Sequence, residues 1–289
     1  MAVTIRDERG AVYVEFLLAF LPLFVLFLAL CQIALLVAGK VVVRHAAFAA
    51  ARSAIVVLDD EPRYYGDAPR GVLSESKSVE PPATSAGGGL VDALSSLATS
   101  LVPETGPAAT PVTQRGARMN AIRGAALRPL SAIAPTAAAF LGGKGATLAE
   151  AVTRDPEGAK GFATVYADAA ALVTLHRAQD DHELAAEPIL HNTPITVRVT
   201  YLQLCGVPLV RNLICHQLGS LLDASTALPG GQATPTLRER LARAGAPAWL
   251  EAAADPAARF MAFEAEVTLP NQGALYEYSE AGDAPLPEL

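Results

Sequence analysis

The chain has 289 residues, 52% of them hydrophobic and 18% charged, with a formal net charge of -7. These proportions exclude a wholly disordered chain, a coiled coil and a highly charged nucleic-acid binder, and three cysteines are too few for a disulfide scaffold or a multi-cysteine zinc site. The charge is uneven: residues 1–58 carry five basic and three acidic side chains, whereas 59–289 carry 17 basic and 26 acidic.

Met1–Gly10 is a short polar leader, and Phe16–Gly39 follows without a single charge. About 24 residues of helix reach roughly 36 Å, enough to cross a hydrocarbon core of about 30 Å with some tilt. Apolar residues occupy every side of this helix, so it has no polar face for an interface or a soluble core. Pro22 removes one helical hydrogen bond and is expected to bend the span, and Gln32 is a polar intrusion that either marks a helix contact or marks nothing.

Three processing schemes compete. A secretory signal has an apolar core of about 7–15 residues, shorter than this run, although Val37-Ala38-Gly39 offers a small-residue site. A lipoprotein signal needs a small residue before Cys31, where Leu30 stands. Cleavage after Gly10 fits better. It would create a new amine on Ala11, one helical turn from the carboxylate of Glu15 and on the same face. Glu15 would lie in the first turn, where the helix dipole favours negative charge, and a neighbouring chain's amino terminus is the natural partner for it in lipid. The simpler alternative makes Glu15 a headgroup-level acid ahead of an ordinary anchor.

Glu8-Arg9-Gly10-Ala11-Val12-Tyr13-Val14-Glu15-Phe16, the apolar run, and Arg44-His45-Ala46-Ala47-Phe48-Ala49-Ala50-Ala51-Arg52 resemble the TadE-like pseudopilins of the tight-adherence (Flp) pilus machinery. The resemblance covers about residues 8–58. It implies leader removal by a prepilin peptidase at Gly10 and Ala11, and assembly through a helix whose start is Glu15 and Phe16. It also implies a single-pass protein of the bacterial cytoplasmic (inner) membrane with a cytoplasmic amino end and a periplasmic body. The implied partners are other pilins or pseudopilins, inner-membrane pilus assembly proteins and membrane lipid, with no nucleic acid. A TadG-like relationship would bring an Asp-x-Ser-x-Ser metal site, and Asp92-Ala93-Leu94-Ser95-Ser96 has the wrong spacing. Basic residues flanking the span number two before (Arg6, Arg9) and three after (Lys40, Arg44, Arg52), a count that leans weakly against this orientation.

Lys40–Leu58 is alanine-rich and lacks Pro, so the helix is expected to continue from Ala11 to Leu58 as a stalk, ended by Asp59-Asp60-Glu61-Pro62. Residues 59–112 read as a linker, with Ser, Pro, Gly, Thr and Ala concentrated in 74–112 around a brief helix at Val91–Leu101. Gln114–Leu130 reads as a helix whose Arg115, Arg118, Arg123 and Arg128 form a solvated face rather than an anionic-surface contact. Phe162–Leu175 fits helix or strand. Ile195, Val197, Val199 and Tyr201 alternate with polar residues, as do Met261, Phe263, Ala265, Val267 and Leu269, which predicts two half-buried strands. A turn at Pro270–Gly273 and a return strand at Ala274–Tyr278 would follow. Thr236-Leu237-Arg238-Glu239 has capping-box spacing and opens a helix. The fold class expected is α+β: a long N-terminal transmembrane helix, a flexible linker, and a small periplasmic α+β domain at 113–289.

Cys205 follows the first of these strands and Cys215 a short helix after Pro208. They either pair in an oxidising compartment or remain two buried thiols. No catalytic residue, cofactor or metal is expected. His182-Glu183-Leu184-Ala185-Ala186 lacks the second His of a zinc-protease helix, and Asp180, Asp181, His182 and Glu183 with His176 read as a solvated loop. Gly142-Gly143-Lys144-Gly145 lacks the flanking residues of a phosphate loop, and no nucleophile elbow occurs. A non-enzymatic assembly component is the expectation. The alternatives are a membrane-anchored periplasmic hydrolase or binding protein, and an exported soluble protein with a cleaved signal.

Overall fold

The computed structural model describes residues 9–67, 70–71, 73, 116–142, 150, 156–177, 180–183, 194–224, 235–243 and 249–270. The leader up to Glu8, the linker at 74–112 with its brief helix, and the turn and return strand after Pro270 lie outside these residues.

Helix α1 runs unbroken from Arg9 to Val57, 49 residues, and continues through Pro22. Its apolar composition favours helix even across Pro22 and Gly39, and it is long and apolar enough to cross a membrane. Its two halves have different surroundings. From Tyr13 to Leu30 no residue is buried, and large apolar side chains such as Leu18, Leu23 and Phe27 are exposed. From Gln32 onward one face, through Leu36, Gly39, Val43, Ala46, Ala47, Ala50, Ala51, Ala54 and Val57, is buried.

The expected stalk is therefore not free-standing. Val43–Leu58 shares one hydrophobic core with the body, so the body includes this half of α1 as well as residues after 113. The physical reason is the alanine face: residues three and four apart line one side, and small side chains let the helix axis approach its neighbours closely.

The remaining helices are α2 (Ala117–Ser131), α3 (Ala137–Leu141), α4 (Pro156–Ala170), α5 (Arg211–Ile214), α6 (Leu218–Leu222), α7 (Leu237–Arg243) and α8 (Trp249–Ala253). Strands β1 (Ala171–Arg177), β2 (Asp180–Glu183), β3 (Pro194–Leu204) and β4 (Phe260–Pro270) form one antiparallel sheet in the order β2-β1-β3-β4. The molecule is thus mixed helix and sheet, in keeping with an α+β architecture.

Register explains the core. Val173 pairs with Val199 and Leu175 with Val197, and these continue to Ala265 and Val267 of β4, which sets an apolar row on one sheet face. That row joins the alanine face of α1 in the common core. On the opposite face Arg198 lies between Glu264, at 3.0 Å, and Glu266. Thr196 and Thr268 share a 2.8 Å hydrogen bond, and Thr174 meets His176 Nε2 at 2.8 Å. β4 is half-buried as expected. β3 is not: Thr196 and Thr200 are buried too, so its polar face is covered, with the Thr196 hydroxyl bonded across to Thr268 of β4.

Phe162–Leu175 contains both structures it fitted, helix to Ala170 and strand from Ala171. The segment 180–183 is strand β2 rather than a loop, because it can pair with β1. The capping box at α7 forms reciprocally, with Glu239 N–H donating to Thr236 Oγ1 at 3.2 Å and Thr236 N–H to Glu239 Oε2 at 3.3 Å.

Candidate functional site

The exposed half of α1 is the feature that distinguishes this molecule from an ordinary small domain. Gly10 and Ala11 lie in its first turns. Glu15 is exposed one turn beyond Ala11, on the same face. Phe16 heads a ladder of rings: Phe16 and Phe20 stack with centroids 5.5 Å apart, and Phe20 and Phe24 at 5.7 Å. The structure thus places Gly10, Ala11, Glu15 and Phe16 at one end of an uncovered apolar rod.

Two locks join this rod to the body. At the near lock, Gln32 is 1% exposed and its Oε1 accepts a 2.9 Å hydrogen bond from Val207 N–H. Cys205 and Cys215 are joined in a disulfide that packs on Leu36, one turn further along. The geometry of the intervening residues, a turn at Val207–Val210 and the single turn of α5, returns Cys215 to Cys205. Gly39 sits under Gln203, where a Cβ would overlap the amide oxygen. The lone polar residue of the apolar run is thus a bond to the body.

The far lock lies at the C-terminus of α1, which has no basic residue in its last turn. Arg118 of α2 supplies the missing cation. Its guanidinium is fully buried, donates to Val57 O and, at 3.0 Å, to Asp60 O, and lies 4.5 Å from the Tyr65 ring centroid. Burial lowers the Arg118 pKa, opposed by Tyr65 and Asp60, yet an arginine keeps its charge at any working pH. Arg123, also buried, pairs with Asp168 of α4 at 2.7 Å and with its carbonyl. Two of the four arginines expected on a solvated face are therefore structural, and Arg128 is exposed as expected. The available signal was a long helix ending without its own cation.

The core beside these locks carries a ring cluster in which Tyr166 donates to Leu202 O at 2.7 Å and stands edge-on to Tyr201. Burial raises both phenol pKa values, far up for Tyr166, so both are neutral here. An open groove between α1 and β4 is lined by Val41, Arg44, His45, Phe48, Glu266 and Val267. Among the described residues, no group of three His, Cys, Asp or Glu is placed to hold a metal ion. In comparison with known proteins, no family model, no curated protein and no solved structure matches this chain.

Proposed function

We propose that this protein is a non-enzymatic, pilin-like assembly component. In this reading the naked half of α1 sits in the cytoplasmic membrane and the body lies on the periplasmic side. The observation that carries it is the division of α1, apolar on all sides and uncovered from Tyr13 to Leu30, yet built into the core of a folded body beyond Gln32. An isolated anchor would not need the second property, because a tether transmits no orientation. A helix fixed at two locks presents its lipid-embedded half at a set angle and depth, which suits side-by-side packing with neighbouring helices.

The resemblance of residues 8–58 to TadE-like pseudopilins gives this rod its place in a tight-adherence system. A prepilin peptidase would cut after Gly10, the amine of Ala11 would form, and Glu15 would be neutralised by a neighbour in the low dielectric of the bilayer. The partners are then other pilins or pseudopilins and inner-membrane assembly proteins. Gly10→Val should block leader removal, read as a larger species on a blot. Glu15→Val should leave cutting intact while surface pili are lost. Normal piliation in Glu15→Val would contradict the assembly role, and normal cutting in Gly10→Val would contradict the cleavage site.

A further inference from the structure

We propose that the disulfide-closed loop Gly206–Ile214 is a lipid contact, pressing Leu209 and Leu213 into the interfacial layer of the bilayer; this rests on the reading that α1 spans it. The argument begins with level. Gln32 is the first buried residue along α1 among the described residues, and its bond to Val207 N–H pins the loop at that height. From Tyr13 to Cys31 the helix offers about 19 residues, or about 28 Å, against a hydrocarbon core of about 30 Å. With that stretch in lipid, Gln32 and the loop above it arrive at the outer edge of the core.

The loop's composition fits that position. It reads Gly-Val-Pro-Leu-Val-Arg-Asn-Leu-Ile, with Arg211 its one charged residue. Leu213 is 76% exposed and Leu209 62%, the two most exposed large apolar side chains outside α1 among the described residues. Between them Val210 is fully buried and anchors the turn, with its N–H bonded to Pro208 O at 2.8 Å and Arg211 N–H bonded to Val207 O at 3.1 Å. Leu209 holds a left-handed backbone, φ 66°, which a leucine adopts only when its surroundings impose it. The turn thus turns two leucines outward beside a continuous apolar rod, and Arg211 is placed at headgroup level, where an anionic lipid surface attracts cations.

The experiment uses the full chain, on a Trp249→Phe background, in proteoliposomes made from a mixture of lipids brominated near the headgroup and lipids brominated near the end of the acyl chain. Single tryptophans are placed at Leu213, at Leu209 and, as references, at Leu23 in α1 and at exposed Ser220 on the body. The expected result is blue-shifted emission lost to bromine quenching for Leu23→Trp, Leu209→Trp and Leu213→Trp, with Ser220→Trp unquenched. A quenched Leu23→Trp with water-like, unquenched emission at both loop positions would overturn the loop contact and leave the spanning helix standing, as when another protein covers the leucines. An unquenched Leu23→Trp would overturn the spanning helix itself and the loop contact with it.

Discussion

Replacing Arg118 with methionine removes the cation that closes the far end of α1 while keeping a long apolar stem in place. Two charge-assisted hydrogen bonds, to Val57 O and Asp60 O, disappear, as does the contact with the Tyr65 ring. Hydrogen bonds to charged groups are worth about 1.5–3 kcal/mol each, and a cation over a ring about 1 kcal/mol. Against this, methionine avoids the cost of burying a guanidinium, which recovers a part of the loss. The net expectation is a destabilisation of about 3 kcal/mol. For a folded body of this size that lowers the melting temperature by about 6–12 °C. Thermal unfolding of the full chain in detergent, followed by near-ultraviolet circular dichroism, measures it. Arg128→Met, at an exposed position of the same helix, should stay within about 0.5 kcal/mol. Arg118→Lys should recover only part of the loss, because a single ammonium lacks the planar fork that reaches two carbonyls. Equal melting temperatures for Arg118→Met and Arg128→Met would refute the claim that this arginine caps α1.

The two buried tyrosines should part company on substitution. Tyr166→Phe removes the donor to Leu202 O and should cost about 1 kcal/mol, whereas the Tyr201 hydroxyl has no hydrogen-bond partner among the described residues, so Tyr201→Phe should be neutral or mildly stabilising in urea denaturation. Both phenols have folded pKa values raised by burial, so their contribution to stability is intact below the unfolded value of about 10 and is lost as pH rises above it. Tyr201→Phe should lessen this alkaline loss, and an unchanged alkaline midpoint would count against it. Closing the ten-residue separation between Cys205 and Cys215 should be worth about 3 kcal/mol by chain entropy. A mobility shift on reduction, absent in Cys205→Ser, checks the bond, and two alkylatable thiols at these positions in unreduced protein would contradict it.

What the sequence disclosed and what it withheld follow from the range of the forces involved. Local rules sufficed for α1, where a long apolar run favours helix strongly enough to continue through Pro22, and for the Thr236–Glu239 cap, whose partners are three residues apart. Alternation sufficed for β3 and β4, whose register follows from keeping Val197 and Val267 on one face. Non-local pairings were hidden. Arg118 and Arg123 look like solvent-facing arginines until the end of α1 and Asp168 are brought beside them from 61 and 45 residues away. The alanines of Val43–Leu58 read as a stalk, and their close-packed face shows only once α2 and the sheet are placed against it. Helix passes directly into strand at Ala170–Ala171 with neither Gly nor Pro to announce it, because strand pairing of β1 with β3 outweighs local propensity there. Of the candidate site, the carboxylate at Glu15 and the apolar span were visible, but Gln32 disclosed its partner only once Val207 was placed against it.

The account depends on a rod that is trimmed at its tip and held in lipid. Amino-terminal sequencing of the protein recovered from carbonate-washed membranes tests both properties at once. The account predicts that the protein stays with the membrane pellet and begins at Ala11. A chain released into the wash, or a fully functional membrane-bound chain still beginning at Met1, would contradict it.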